Sequence, residues 1–139
     1  MTNTIETISL AEARAIIDSC EAKALAIKQP MNVAVVDAGG NLVAHIRMDN
    51  AWLGSINISI NKAFTARCFD ITTEALGKES QPGKQFYGIH NSNDGRIMLF
   101  AGGVPLLKNG KIVGALGVSG GTGEQDTEVA LAGKKFFEG

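Results

Sequence analysis

The chain has few cysteines and no cluster of residues with metal-ligand spacing. Cys20 and Cys68 are the only two cysteines among 139 residues. Their separation offers neither a disulfide framework nor a metal motif, so no structural metal is expected. Both fall within helical apolar patterns, and we expect them to be reduced core residues.

The chain also lacks an excess of charge of either sign and any long apolar run. It has 13 Lys and Arg against 14 Asp and Glu, so no net field attracts nucleic acid or an anionic membrane. No stretch approaches the length of a membrane span, and the first residues lack a basic start followed by an apolar segment. We therefore expect a cytoplasmic protein with no nucleic-acid or membrane partner.

The length and composition indicate one domain over residues 1–139. Hydrophobic residues make up 45% of the chain, and a chain of this size buries roughly two thirds of its surface on folding. No internal repeat or low-complexity segment divides it.

Four segments have helical patterns. A capping box at Ser9–Glu12 starts the first helix, which ends before Pro30. A second begins after Gly54, and a short one runs from Thr72 or Thr73 to near Gly77, followed by a long polar loop over residues 78–94. A second capping box at Thr122–Gln125 starts the C-terminal helix. The apolar stripe predicted for the second helix is Ile56, Ile60, Ala63, Phe64 and Cys68.

Five segments have strand patterns. The first two flank a cluster of turn formers, Asp37–Asn41, and predict a β-hairpin within residues 32–49. The other three are Arg96–Phe100, Val104–Leu107 and Lys111–Ser119, the last two joined through Asn109-Gly110. The order is thus αββααβββα, which predicts an α+β fold with a mainly antiparallel five-stranded sheet and helices on one or both faces.

His45 and Arg47 are the best chemical lead. Side chains two residues apart on a strand share a face, so this pair points the same way. An imidazole near neutrality can ligate a metal or haem iron or act as a general base. The alternative is that His45 is a solvent-facing strand residue, because a single histidine does not form a set of catalytic or metal-binding groups.

Other candidates are scattered along the chain. His90 and Asn91 lie in the long loop and either form a pocket wall or face water. Lys62 is either a solvated surface charge or meets an anion under the second helix, and Arg96 either forms a structural ion pair or binds a ligand.

Ser119 lies in a Gly-x-Ser-x-Gly frame, but the hairpin context differs from that of a nucleophile elbow. The glycine-rich run 117–123 is interpreted as a tight turn before a self-capped helix.

Three segments together resemble the GlcG/HbpS-like haem-binding family, which also occurs as the C-terminal domain of PduO-type cobalamin adenosyltransferases. They are VAVVDAGGNLVAHIRMD, INKAFTARCF and GGVPLLKNGKIVGALGVSGGTGEQD. The resemblance covers nearly the whole chain and implies a profilin-like or longin-like antiparallel sheet with flanking helices. It also implies a homo-oligomer.

For function, the resemblance implies a small-molecule-binding module. Some relatives bind haem, which makes His45 the candidate iron ligand and Arg47 a partner for a propionate. Gly102 and Gly103 match the family and would allow close approach of a ligand or a neighbouring subunit. Other relatives are encoded beside glycolate or diol catabolic genes. The alternative is therefore an enzyme or accessory protein of small-molecule catabolism, with His45 or His90 as base and Arg47, Lys62 or Arg96 holding an anion.

Overall fold

The computed structural model describes all residues, 1–139, in three layers: two helices, a four-stranded sheet and a third long helix. The helices are α1 (Leu10–Ala26), α2 (Gly54–Phe69), α3 (Thr73–Lys78) and α4 (Gly123–Glu138), and the strands are β1 (Asn32–Asp37), β2 (Leu42–Arg47), β3 (Gly103–Lys108) and β4 (Lys111–Ser119). None of the helices combines the length and the apolar character needed to cross a membrane.

Both predicted capping boxes are confirmed. At the start of α1, the Ser9 hydroxyl accepts from the Glu12 amide at 3.1 Å while the Glu12 carboxylate accepts from the Ser9 amide at 3.0 Å. Thr122 and Gln125 repeat this exchange at the start of α4. Each cap satisfies amides that have no partner within the helix, which stabilises the helix end by about 1 kcal/mol.

The sheet is antiparallel throughout, as predicted, but it has four strands in the order β2-β1-β4-β3. The predicted fifth strand, Arg96–Phe100, is wrong. This segment runs beside α2, where the Met98 amide donates to the Thr65 hydroxyl at 2.9 Å and Arg96 Nε donates to the Asn61 side chain at 3.0 Å. Side chains of α2 thus supply hydrogen bonds that a neighbouring strand would otherwise provide.

The two predicted hairpin turns are present. In the first, the Asp37 carboxylate accepts from the amides of Gly39 and Asn41, and Gly40 has a φ of +78°. In the second, Asn109 and Gly110 both have positive φ, which matches the right-handed twist of the flanking strands.

The main core lies between the sheet and the α1/α4 layer. Val33 and Val35 of β1 meet Ile16 and Cys20 of α1 there. Burial raises the pKa of the Cys20 thiol to about 12, so this cysteine is a protonated core residue as predicted. The prediction for Cys68 is wrong, because its side chain is exposed on α2.

Helix α2 packs on the other face of the sheet with a side of small and polar residues, and of the predicted apolar stripe only Ala63 is fully buried there. Ala34 and Ala115 of the sheet contact Ala63 and Ala66 of the helix. The fully buried polar residues on this side of α2 include Ser59, Lys62 and Thr65. Ile56, Ile60 and Phe64 are only half-buried, and Cys68 is exposed. The small side chains let α2 approach the sheet so closely that large apolar residues fit only along its flank.

We expect Gly117→Ala to destabilise the protein by about 1–3 kcal/mol, because inserted atoms in a close-packed layer force backbone shifts. A Cβ at Gly117 would overlap the Ser59 carbonyl oxygen and stand 2.6 Å from the Ala63 amide nitrogen. The measurement is the free energy of unfolding in urea. Gly54→Ala, where a Cβ meets nothing within 4 Å, is the matched control and should not lower this free energy. A Gly117→Ala variant as stable as that control would contradict the close approach.

Candidate functional site

His45 and Arg47 lie on the side of the sheet that faces α2. In the β1–β2 ladder, His45 pairs with Ala34 and Arg47 pairs with Asn32. Because α2 packs mainly on β1, β3 and β4, it leaves this part of β2 partly uncovered. The shared face that the sequence predicts for the two residues agrees with this register.

The His45 ring is half-buried, and its Nε2 atom is buried with no hydrogen-bond partner. Burial lowers the pKa of His45 below its ordinary value of 6.5. No carboxylate opposes this effect, because desolvation is the only cause of the shift. The imidazole is therefore neutral at pH 7, which is the form that can coordinate a metal.

The flank of α2 that lies along the β1–β2 hairpin carries apolar side chains. Ile60 packs against the cluster that contains Ala34, the residue paired with His45. One turn further along α2, Phe64 lies against the β1–β2 turn, 3.5 Å from where a Cβ of Gly40 would be. The Arg96 guanidinium stacks 3.6 Å from the centre of the Phe64 ring. We call His45, Arg47, Ile60, Phe64 and Arg96 the hairpin face.

Neither arginine of the hairpin face forms an ion pair. Arg47 is exposed at the very end of β2, where it also borders an open cleft of about 560 Å³ on the α1 side of the sheet. Arg96 uses Nε for Asn61 and its face for Phe64, so its terminal nitrogens can still donate to an anion. The ion pair considered for Arg96 does not form.

Lys62 is fully buried and not a solvated surface charge. Its ammonium donates to the Asp126 carboxylate and to the Val118 carbonyl oxygen, both at 2.8 Å, and lies 4.8 Å from the centre of the Phe100 ring. Asp126 also accepts from the Gly121 amide at 2.9 Å. Burial lowers the pKa of Lys62, and the charge of Asp126 opposes this lowering. These contacts make Lys62 a cross-link between α2, β4 and α4.

Gly102 and Gly103 bring the chain close to this lysine. A Cβ at Gly102 would stand 2.7 Å from Lys62 Nζ, and one at Gly103 would stand 2.6 Å from the Lys62 carbonyl oxygen. The close approach that the glycines permit is thus an approach to α2. Their role in binding a ligand or a second subunit remains a prediction.

His90 and Asn91 lie apart from the hairpin face. Both are exposed in a short 3-10 helix, Ile89–Asn91, and among the helices and strands this segment contacts only the next short 3-10 helix, Asn93–Gly95. The His90 ring makes an edge contact with Tyr87 at 6.2 Å between ring centroids. The structure therefore does not bring His90 together with His45.

The largest cleft, about 1080 Å³, lies between α3, residues 99–101 and the first half of α4. None of the residues predicted from the sequence lines it. Its walls contain no histidine, cysteine, methionine or tyrosine, and three glutamates face one lysine: Glu74, Glu124, Glu128 and Lys78. This cleft offers no side chain that commonly ligates haem iron.

Sequence reasoning missed Asn32, Phe64 as the stacking partner of Arg96, and Asp126. Asn32 is fully buried at the start of β1, where its amide nitrogen donates to the Trp52 carbonyl oxygen at 3.0 Å. A polar residue opening an otherwise apolar strand is a signal for Asn32. The contacts of Phe64 and Asp126 depend on long-range packing.

A protein-family model described as "Haem degrading protein HbpS-like" matches residues 8–135. Among curated proteins, an uncharacterized 15.0 kDa protein in the dhaT-dhaS intergenic region of Citrobacter freundii is 48% identical over 126 residues. The match covers 91% of this chain and 89% of that protein.

Two solved structures share the fold over most of their length. Protein ORFY of Klebsiella pneumoniae is 39% identical with a TM-score of 0.96, covering 98% of this chain and 94% of that one. The crystal structure of a PduOC:heme complex is 31% identical with a TM-score of 0.89, covering 93% of this chain and 94% of that one.

Proposed function

Because the chain belongs to the HbpS-like family, we propose that it is a small-molecule-binding protein whose ligand is haem. The binding surface proposed is the hairpin face, with His45 as the axial ligand of the iron. The solved complex of a relative with haem supports this ligand class.

The observation that carries the proposal is the state of His45. It is a half-buried, neutral imidazole whose Nδ1, unlike the buried Nε2, is not covered by the protein. Haem needs a neutral nitrogen for its iron and an apolar surface for its ring. The hairpin face provides both.

The two unpaired arginines fit the remaining part of haem. Its propionates are carboxylates, which guanidinium groups bind through parallel N–H···O bonds. Arg47 lies two residues from His45 on the same face, and Arg96 is fixed by Phe64 and Asn61. The largest cleft is a poor alternative, because its glutamates would repel propionates.

Bound haem would supply iron-centred redox chemistry. The residues described here bind and orient: His45 would hold the iron, Ile60 and Phe64 would cover part of the ring, and the arginines would hold the propionates. The proposal concerns binding alone, since degradation of haem also needs an oxidant and electrons.

The catabolic alternative has less support from the structure. The ammonium of Lys62, one of its candidate anion-binding residues, already donates to the Asp126 carboxylate. His90 lies apart from Arg47 and His45. A homo-oligomeric state and a cytoplasmic location remain predictions.

Replacing Arg47 with glutamine should weaken haemin binding about tenfold, because a charge-assisted hydrogen bond contributes about 1.5–3 kcal/mol and water partly compensates its loss. The measurement is a haemin titration followed by absorbance at low and high salt, since salt screens such contacts. Arg14→Gln, an exposed arginine on α1 outside the hairpin face, should leave the affinity unchanged. Equal affinities for the two variants would remove Arg47 from the site.

A further inference from the structure

The segment between α3 and β3 carries two adjacent aromatic side chains on the surface. Phe86 is 45% exposed and Tyr87 is 62% exposed. They belong to residues 81–95, none of which is buried, and we call this stretch the aromatic loop. Aromatic residues are enriched where proteins contact one another, because they offer a large apolar area. The pair therefore indicates a surface that another molecule covers.

The aromatic loop is held in shape by its own backbone and not by packing on the rest of the chain. The Phe86 amide donates to the Glu79 carbonyl oxygen at 3.0 Å, and the Ile89 amide donates to the Phe86 carbonyl oxygen at 3.0 Å. The two 3-10 helices of the loop contact each other and no other helix or strand. Phe86 and Tyr87 are thus available for an intermolecular contact without any change in the loop.

The cleft of about 1080 Å³ between α3, residues 99–101 and α4 has a chemistry that suits such a loop. Its lining includes Phe100 and Leu131, which are 51% and 49% exposed. The cleft is open and exceeds the roughly 300–1,000 Å³ that is usual for small-ligand sites. An apolar lining with an excess of carboxylates favours a protein segment that carries apolar residues and positive charge.

The charges of the loop and the cleft are complementary. Residues 80–93 contain Lys84 and no Asp or Glu. Lys84 forms no ion pair, and neither does Glu124 of the cleft, whereas the other two glutamates of the cleft are paired with lysines. One cation on the loop and one carboxylate on the cleft therefore remain without a partner in the single chain.

The loop does not fill the cleft of its own chain. Gln81, its first residue, lines the cleft, but none of residues 82–98 does. The loop thus begins at the edge of the cleft and continues outside it. Because a two-fold axis repeats each contact, a second copy placed across this edge would exchange both loops and both clefts at once.

We propose that the aromatic loop of one copy binds in the cleft of a second copy, with Phe86 and Tyr87 against Phe100 and Leu131, and Lys84 beside Glu124. This goes beyond the predicted homo-oligomeric state, since it names the two surfaces that meet. It does not rest on the proposed haem function, because all of these residues lie outside the hairpin face.

The first test is sedimentation velocity of the full chain over a range of protein concentrations. The wild type should form a dimer or a larger even-numbered assembly. The variant Phe86→Ser, Tyr87→Ser should halve the mass of this assembly or reduce it to the monomer. Leu25→Ser, which changes another exposed apolar residue on α1 (63% exposed), is the matched control and should keep the wild-type mass.

The second test is charge reversal. Lys84→Glu alone and Glu124→Lys alone should each weaken association about tenfold, because like charges then meet at two equivalent contacts. The double variant Lys84→Glu, Glu124→Lys restores opposite charges and should associate nearly as tightly as the wild type. Lys111→Glu, which changes an exposed lysine that also forms no ion pair, should leave association unchanged.

Three results would overturn the proposal. The first is a wild type that stays monomeric at every concentration, which would leave the cleft to a different partner. The second is an assembly whose mass the loss of both aromatic side chains does not change. The third is a double charge reversal that associates no better than either single variant.

Discussion

Replacing His45 with alanine should abolish saturable haemin binding by the protein. The change removes the one histidine on the hairpin face, and an alanine has no atom that can coordinate iron. The measurement is a haemin titration of purified protein followed by the Soret band. In the wild type the band should shift and saturate, and in the variant only the weak, non-saturating change of adsorbed haemin should remain.

His90→Ala is the matched control for this experiment. It removes the only other histidine of the chain, which is exposed and apart from the hairpin face. We expect its titration to match that of the wild type. A Soret shift that survives in His45→Ala, or that disappears in His90→Ala, would contradict the assignment of His45.

Replacing Lys62 with methionine should have the largest effect on stability. The change keeps an unbranched side chain but leaves the Asp126 carboxylate buried without its cation. Breaking a buried pair in this way costs about 3–5 kcal/mol, because the remaining charge has lost its compensation. The measurement is the free energy of unfolding from urea denaturation at pH 7.

Two further variants make this expectation specific. The double variant Lys62→Met, Asp126→Leu removes both charges, so it should regain most of the lost stability. Lys78→Met removes an exposed pair with Glu74, whose N–O distance is 3.7 Å, and should cost about 0.5 kcal/mol or less. A double variant no more stable than Lys62→Met would show that the ion pair is not the source of the loss.

The starts of two helices and the two hairpin turns were predicted correctly from local sequence rules. The capping boxes at Ser9 and Thr122 and the turns at Gly40 and Asn109 depend on a few adjacent residues, and these are present in the structure as predicted. Strand alternation also placed His45 and Arg47 on one face, since this requires only that the segment be extended.

The wrong predictions share a physical cause. Residues 96–100 are apolar enough for a strand, but their polar contacts lie with Asn61 and Thr65 of α2. The buried side of α2 was missed because the periodicity rule looks for large apolar residues, whereas the sheet here leaves room only for small ones. Ala34 and Gly117 set that limit, which appears only when β1, β4 and α2 are assembled.

The site could be predicted only in part for the same reason. Lys62 and Asp126 are 64 residues apart, and no local pattern indicates that they meet. Asn32 becomes a neighbour of His45 only through the register of the hairpin. The Arg96 guanidinium stacks on the Phe64 ring because the loop before β3 folds back over α2.

The most direct test of the central claim is the stoichiometry of haemin binding to the wild-type chain. Haemin is titrated into purified protein at pH 7, and the Soret absorbance is followed to completion. Saturation at one haemin per chain, with the band shape of histidine-ligated iron, is the result that the hairpin face predicts. A continuous rise with no end point, or saturation without histidine ligation, would contradict the claim that this protein binds haem through His45.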